Sequence, residues 1–168
     1  MTGLHVGLLG PGDWEALRAV RLAALADSPD AFASTLAREQ AFDEAEWRRR
    51  ASRGSLIAWH GKDPVGLAGM IDRAGLAPAE SSGTWELVAM WVRPEARGTG
   101  AADALVSAVI RAVKAADAGQ LVLWVAEGNA RARAFYGRRG FQPTGTRQVF
   151  QRHDGSSLNE EELILNLA

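Results

Sequence analysis

Six consecutive residues, Arg97-Gly98-Thr99-Gly100-Ala101-Ala102, follow an apolar segment and run directly into a helical pattern. Glycines in such a connection allow backbone conformations closed to other residues and let a ligand approach the chain closely. The turn would leave backbone N–H groups free, and the helix behind it adds the positive end of its dipole. With the charge of Arg97, these features make a cradle for a phosphate or pyrophosphate. A plain strand–helix connection is the alternative reading. No Gly-Lys-Ser/Thr ending follows Gly100, so this is not a P-loop. Asp103 stands where the third glycine of a dinucleotide fingerprint belongs.

Glu86 lies near the start of the apolar segment just before this turn. A carboxylate there could accept a proton directly or through water, and pairing with an arginine is the alternative. His60 and Asp72 are weaker candidate bases, and His5 and His153 read as surface residues. Tyr136 is the only tyrosine. Its ring could simply pack under the terminal strands.

The elements that would position these groups follow from periodicity and punctuation. Residues 4–9 read as a strand. Asp13 reads as the N-cap of a helix of about three turns that ends at Asp27-Ser28-Pro29-Asp30. Residues 31–39 have no firm period. Residues 43–53 read as a helix, acidic at its start and basic at its end. Residues 55–60 and 65–71 flank Gly61-Lys62-Asp63-Pro64 as a hairpin. Residues 73–83, rich in Ala, Gly, Pro and Ser, read as a loop. Residues 85–92 are the clearest strand, and period two would put Glu86, Val88, Met90 and Val92 on one face. Ala102, Leu105, Val106, Val109, Ile110 and Val113 mark one buried helical face. A strand over 121–126, a helix over 129–139 ended by Gly140, and a hairpin of 148–152 with 162–167 complete the chain. The expected fold is α/β: a mixed sheet with helices on both faces, in a single domain over residues 1–168.

Two ordered motifs resemble those of the GNAT family of N-acetyltransferases. The stretch 97–102 is similar to the family's acyl-coenzyme A motif, Arg/Gln-x-x-Gly-x-Gly/Ala. Asn129-Ala130-Arg131-Ala132 and Phe135-Tyr136-Gly137-Arg138-Arg139-Gly140-Phe141 resemble its downstream signature. Ala101-Ala102 departs from the branched residue and glycine that many members carry. The resemblance implies a mostly antiparallel sheet whose fourth and fifth strands splay into a V-shaped slot. It implies acetyl-CoA as acyl donor, its pyrophosphate held by Arg97, Gly98, Thr99, Gly100, Ala101 and Ala102. Its pantetheine arm would pair with the strand edge at Met90, Trp91 and Val92, with Asn129 bonding from the other side. Arg133 or Arg131 would reach the phosphates, and Tyr136 would lie near the sulfur, where its phenol could give a proton or a hydrogen bond to the leaving thiolate. Phe32 would line the acceptor pocket, and a homodimer is expected from family habit and exposed sheet edges. Glu86 then becomes the candidate base and a possible contact for a cationic acceptor, and the backbone around Met90 could stabilise the carbonyl oxygen. Phe135 is the better core candidate of the adjacent aromatic pair. Acidic Asp30, Glu39 and Glu86 could favour a cationic amine. Trp47, Trp85, Trp91 and Trp124 supply aromatic surface or core.

The expected activity is transfer of an acetyl group to a primary amine, of a small molecule before a protein or peptide, in a ternary complex. A non-catalytic acyl-CoA-binding sensor is the alternative of another class. Composition removes other readings. With no cysteine, thiolate metal sites and cysteine nucleophiles are excluded, and three scattered histidines make a metal site unexpected. A net charge of -1 argues against a nucleic-acid partner. The opening MTGLHVGLLG has no basic region before a long apolar run, and no stretch reaches the roughly 18 apolar residues of a spanning helix. A soluble, cytoplasmic protein without a membrane partner is therefore expected, and the family resemblance implies a bacterial one.

Overall fold

A computed structural model describes residues 3–75 and 83–167. Its elements are β1 (Leu4–Leu8), α1 (Trp14–Asp27), α2 (Leu36–Gln40), α3 (Glu44–Ala51), β2 (Ser55–His60), β3 (Asp63–Asp72), β4 (Thr84–Val92), α4 (Ala101–Ala115), β5 (Gln120–Ala126), α5 (Ala130–Arg138), β6 (Gln142–Gln151) and β7 (Ser157–Asn166). The expected loop over 73–83 lies largely outside the described residues. Its described start, Arg73–Gly75, is a 3-10 turn.

The local starts have visible causes. Asp43 Oδ1 accepts the Glu46 N–H at 2.9 Å to cap α3, and Thr35 Oγ1 accepts the Arg38 N–H at 3.2 Å to cap α2. The unperiodic stretch 31–39 thus contains a short capped helix. Asp13 occupies the N-cap of α1, but its carboxylate accepts the Gly10 N–H at 2.8 Å and leaves the helix amides alone.

The seven strands run in the order β1-β2-β3-β4-β5-β7-β6. Every neighbouring pair is antiparallel except β4 and β5, which are parallel. On one face, α4 buries Leu105, Val106, Val109 and Val113, and this core takes in Tyr136 and Phe141. On the other face, α1 and α3 bury Val20, Leu25 and Trp47 against Ile57, Leu67 and Trp91. The final hairpin is longer than its sequence pattern. All of β6 is exposed except the half-buried Phe150, so no apolar alternation marks it. Among the described residues, no helix is long and apolar enough to cross a membrane.

Strand β4 is not regular. Gly69 pairs with Val88 and Leu67 with Trp91, so Ala89 and Met90 together oppose Ala68. This is a β-bulge, and Ala89 takes a left-handed φ of +55°. The extra residue inverts the strand's parity. Met90 and Val92 pack toward the α4 core, whereas Ala89 and Trp91 pack toward α1 and α3. The expectation that Glu86, Val88, Met90 and Val92 share one face is corrected accordingly.

Candidate functional site

The site begins where β4 and β5 stop pairing. Their ladder holds only Thr84 with Gln120, Trp85 with Leu121, and Glu86 with Val122. Beyond it, β5 stays paired to β7 as far as Ala126, and β4 follows β3 through the bulge. The two strands diverge, and the facing edge of β4 is left without a β5 partner. The opening is a cavity of about 540 Å³. It brings together Phe32, Glu86, Met90, Asn129 and Tyr136. These residues come from the α1–α2 connection, β4, the β5–α5 turn and α5.

Tyr136 is 8% exposed, and burial pushes its phenol up to about 12. It therefore stays protonated at neutral pH and can act as a donor. Its ring meets Phe135 and Phe141 edge-on, with centroids 5.1 and 5.6 Å away. Phe135, expected to be the core member of the pair, is only half-buried, and Tyr136 is the buried one.

Glu86 is mostly buried and held by Arg73, whose Nε donates to Oε2 at 3.2 Å. Arg73 also donates to Glu162 at 3.0 Å, and Glu162 accepts from the Thr144 hydroxyl. The carboxylate is thus oriented from behind while it lines the cavity. His60 and Asp72 do not line it.

The turn expected to hold phosphate has the predicted form. Gly98 and Gly100 lie at φ +77° and +91°, conformations that favour glycine. A Cβ at either would meet no atom within 4 Å, so open space faces the turn. The N–H groups of Arg97 and Thr99 are spent on carbonyls within the turn. The amides that remain for an anion are those of Gly98, Gly100 and the first turn of α4, beginning at Ala101 and Ala102. The Arg97 side chain does not face the turn: it donates to the Val92 carbonyl at 3.0 Å and to Asp27 at 2.9 Å. The Trp91 indole donates to the same Asp27 oxygen at 2.9 Å. The hydrogen bonds from Trp91, Ser28 and Arg97 hold the Asp27 carboxyl below its usual range. Arg139 approaches instead, bonding Asp103 in the first turn of α4 at 3.0 Å.

Other expected contacts fall differently. Trp91 and Val92 are buried behind the slot, which leaves Met90 as the β4 side chain there from that trio. Asn129 caps α5 through Oδ1, which accepts the Ala132 N–H at 3.1 Å, while the residue also lines the slot. Arg133, half exposed, pairs with Glu161 through two bonds of 3.0 Å. Glu39 is fully buried and paired to Arg21 by two 2.9 Å bonds, so it offers no charge to an acceptor. Phe32 lines the slot under the Arg21 guanidinium, 4.6 Å above its ring. The β6–β7 hairpin adds Gln148, Phe150, Arg152 and Glu160, which no local sequence signal marks. Only the strand order, with β7 and β6 beyond β5, brings them there. A larger hollow of about 770 Å³ lies between α1, α3 and the β3–β4 part of the sheet. It meets the slot at Val88 and Ala89 but holds none of Glu86, Asn129 and Tyr136.

Comparison with known proteins agrees with this geometry. The profile of the acetyltransferase (GNAT) family matches residues 19–141. No curated protein sequence matches the chain. Among solved structures, yncA from Salmonella typhimurium, solved with its cofactor acetyl-CoA, superposes with a TM-score of 0.73 at 18% identity, over 99% of this chain and 95% of that one. A ribosomal-protein-alanine N-acetyltransferase from Brucella melitensis gives 0.73 at 24% identity, over 96% and 99%. A GNAT-family acetyltransferase from Streptococcus pneumoniae gives 0.76 at 15% identity, over 99% and 100%. At these identities the likeness concerns the fold.

Proposed function

The chain belongs to the acetyltransferase (GNAT) family, and from that premise we propose that it moves an acetyl group from acetyl-CoA to the primary amine of a small molecule, directly, with both bound together. The observation that carries this reading is the parting of β4 from β5 beyond Glu86 and Val122. It opens one slot that holds a proton acceptor on one wall and a buried phenol on the other.

Acetyl-CoA supplies the acetyl group as a thioester. The free amides of Gly98, Gly100 and the first turn of α4 would hold its pyrophosphate, in the open space that faces the turn. The unpaired edge of β4 at Met90 would take its amide arm, and Asn129 would donate from the opposite wall. The Met90 N–H would stabilise charge that develops on the carbonyl oxygen. Glu86, held by Arg73, takes the proton that the incoming ammonium must lose. Tyr136, kept neutral by burial, gives its proton to the departing sulfur and regains one from solvent. One N–C bond forms as one C–S bond breaks, and one proton is released overall.

The test is thiol release from acetyl-CoA across a panel of amines. Peptides with a free N-terminal alanine belong in that panel, because the Brucella neighbour is a ribosomal-protein-alanine N-acetyltransferase. Release with a small amine supports the reading. Release with peptides alone would move the acceptor to proteins. Tight acetyl-CoA binding with no release on any amine would favour a non-catalytic sensor.

A further inference from the structure

We propose that the acceptor amine also carries a carboxylate, which makes it chemically an amino acid, and that Arg152 selects it. The inference rests on the acetyl-transfer reading and adds the acceptor's class. Arg152 directly follows β6 and lines the slot together with Phe150 and Leu158. Its Nε is buried and has no hydrogen-bond partner. Its side chain makes one long hydrogen bond, Nη1 to Ser156 Oγ at 3.4 Å, and no ion pair among the described residues. The nearby Asp154 is committed elsewhere, accepting the Ser156 N–H at 2.8 Å and its hydroxyl at 2.6 Å. The arginines nearest the slot differ: Arg73, behind Glu86, is tied to Glu86 and Glu162, and Arg21, over Phe32, to Glu39.

A buried guanidinium N–H with no acceptor is unfavourable, so the Arg152 side chain gains by turning toward an acceptor in the slot. Its fork geometry matches a carboxylate, which takes two parallel N–H bonds. The rest of the lining carries the opposite charge, from Asp30, Glu86 and Glu160. Arg152 is the one basic residue among the described lining residues. An ammonium therefore meets carboxylates and a carboxylate meets Arg152, so both ends of a zwitterion are matched. A dianionic phosphate is disfavoured, since three acids share the lining with the single cation. A plain alkylamine would leave Arg152 unmatched.

The test compares kcat/KM for matched acceptors: a set of free amino acids covering the side-chain classes, their amides, their decarboxylated amines, and tripeptides with the same N-terminal residue. The expected result is that at least one amino acid exceeds its amide and its amine by about 10- to 100-fold, the range for a charge-assisted hydrogen bond. Arg152→Gln should remove most of that preference through KM, lowering the amino acid's kcat/KM about 10-fold or more while the amide loses less than about threefold. Arg152→Lys should restore part of it. Amides, amines or tripeptides used as well as the free amino acids would overturn the proposal and leave acetyl transfer standing. An equal loss on every acceptor in Arg152→Gln would also overturn it. Absence of thiol release with all acceptors would overturn the acetyl-transfer reading itself.

Discussion

Replacing Tyr136 with phenylalanine separates the chemistry of the slot from its packing. The ring contacts with Phe135 and Phe141 survive, and the lost hydroxyl makes no hydrogen bond among the described residues. Stability at neutral pH should change by less than about 1.5 kcal/mol, as for a volume-conserving core swap. Turnover should fall about 100-fold or more, the scale of a lost proton donor, while acetyl-CoA affinity persists. The pH dependence gives a second, independent reading. With the phenol at about 12, roughly 0.1% is ionised at pH 9, against about 10% for an ordinary tyrosine. Loss of the phenol proton should therefore not limit turnover below pH 10. The folded pKa is raised above the unfolded one, so this stabilising contribution is intact below pH 10 and is lost as pH rises toward 12. Moving the phenol from 10.0 to about 12 corresponds to about 3 kcal/mol of stability lost across that window. Urea denaturation at pH 8 and pH 11.5, run on parent and variant, measures it. Unchanged turnover in Tyr136→Phe would refute the donor role. Equal alkaline destabilisation of both proteins would refute the burial argument.

Glu86→Gln should lower turnover about 100-fold without changing acetyl-CoA affinity by calorimetry, because the amide cannot accept the amine's proton. Gly100→Ala should leave the fold intact at a cost of about 1–2 kcal/mol, since its Cβ meets open space but its φ is left-handed, and it should weaken acetyl-CoA binding. Gly54→Ala should be far more damaging in a melting experiment, because a Cβ there would sit 2.6 Å from the Met70 carbonyl oxygen. Glu39→Ala should cost about 3–5 kcal/mol by denaturant titration, as it leaves Arg21 unpaired beside the core. Burial pushes the Glu39 carboxyl up, but the bonds and charge of Arg21 and the charge of Arg50 hold it below its usual range. Its stabilising contribution is thus present above the unfolded carboxylate pKa and is lost as pH falls through the lower folded one.

Much of the architecture was legible because it is written in local pattern. The face of α4 is a run of apolar residues at three and four spacing, and Gly140 follows the end of α5 with the left-handed φ that a terminating glycine takes. The glycines at 98 and 100 signal the turn that they form. What was not legible depends on pairing across the chain. Nothing marks Ala89 as a bulge, since alanine has no preference for one, and a single extra residue there reversed the face assigned to Met90 and Val92. Glu39 read as a free acid because its partner lies 18 residues away on another helix. Arg97 read as a phosphate ligand because the sequence cannot show that Asp27 claims it. Arg73, read in a loop, and Arg152, read at a strand end, are ordinary surface arginines until the strand pairing brings them beside Glu86 and the slot.

The meeting point of β4 and β5 also sets the opening of the site. Gly119 and Gln120 donate to the Gly83 carbonyl at 2.8 and 3.0 Å, clasping the strands just before their three-residue ladder. Past Glu86 each strand leans on an outer neighbour, β4 on β3 and β5 on β7. The gap is therefore a seam in the backbone pairing, closed at one end and propped from both sides, and the side chains that line it inherit a width that they do not set.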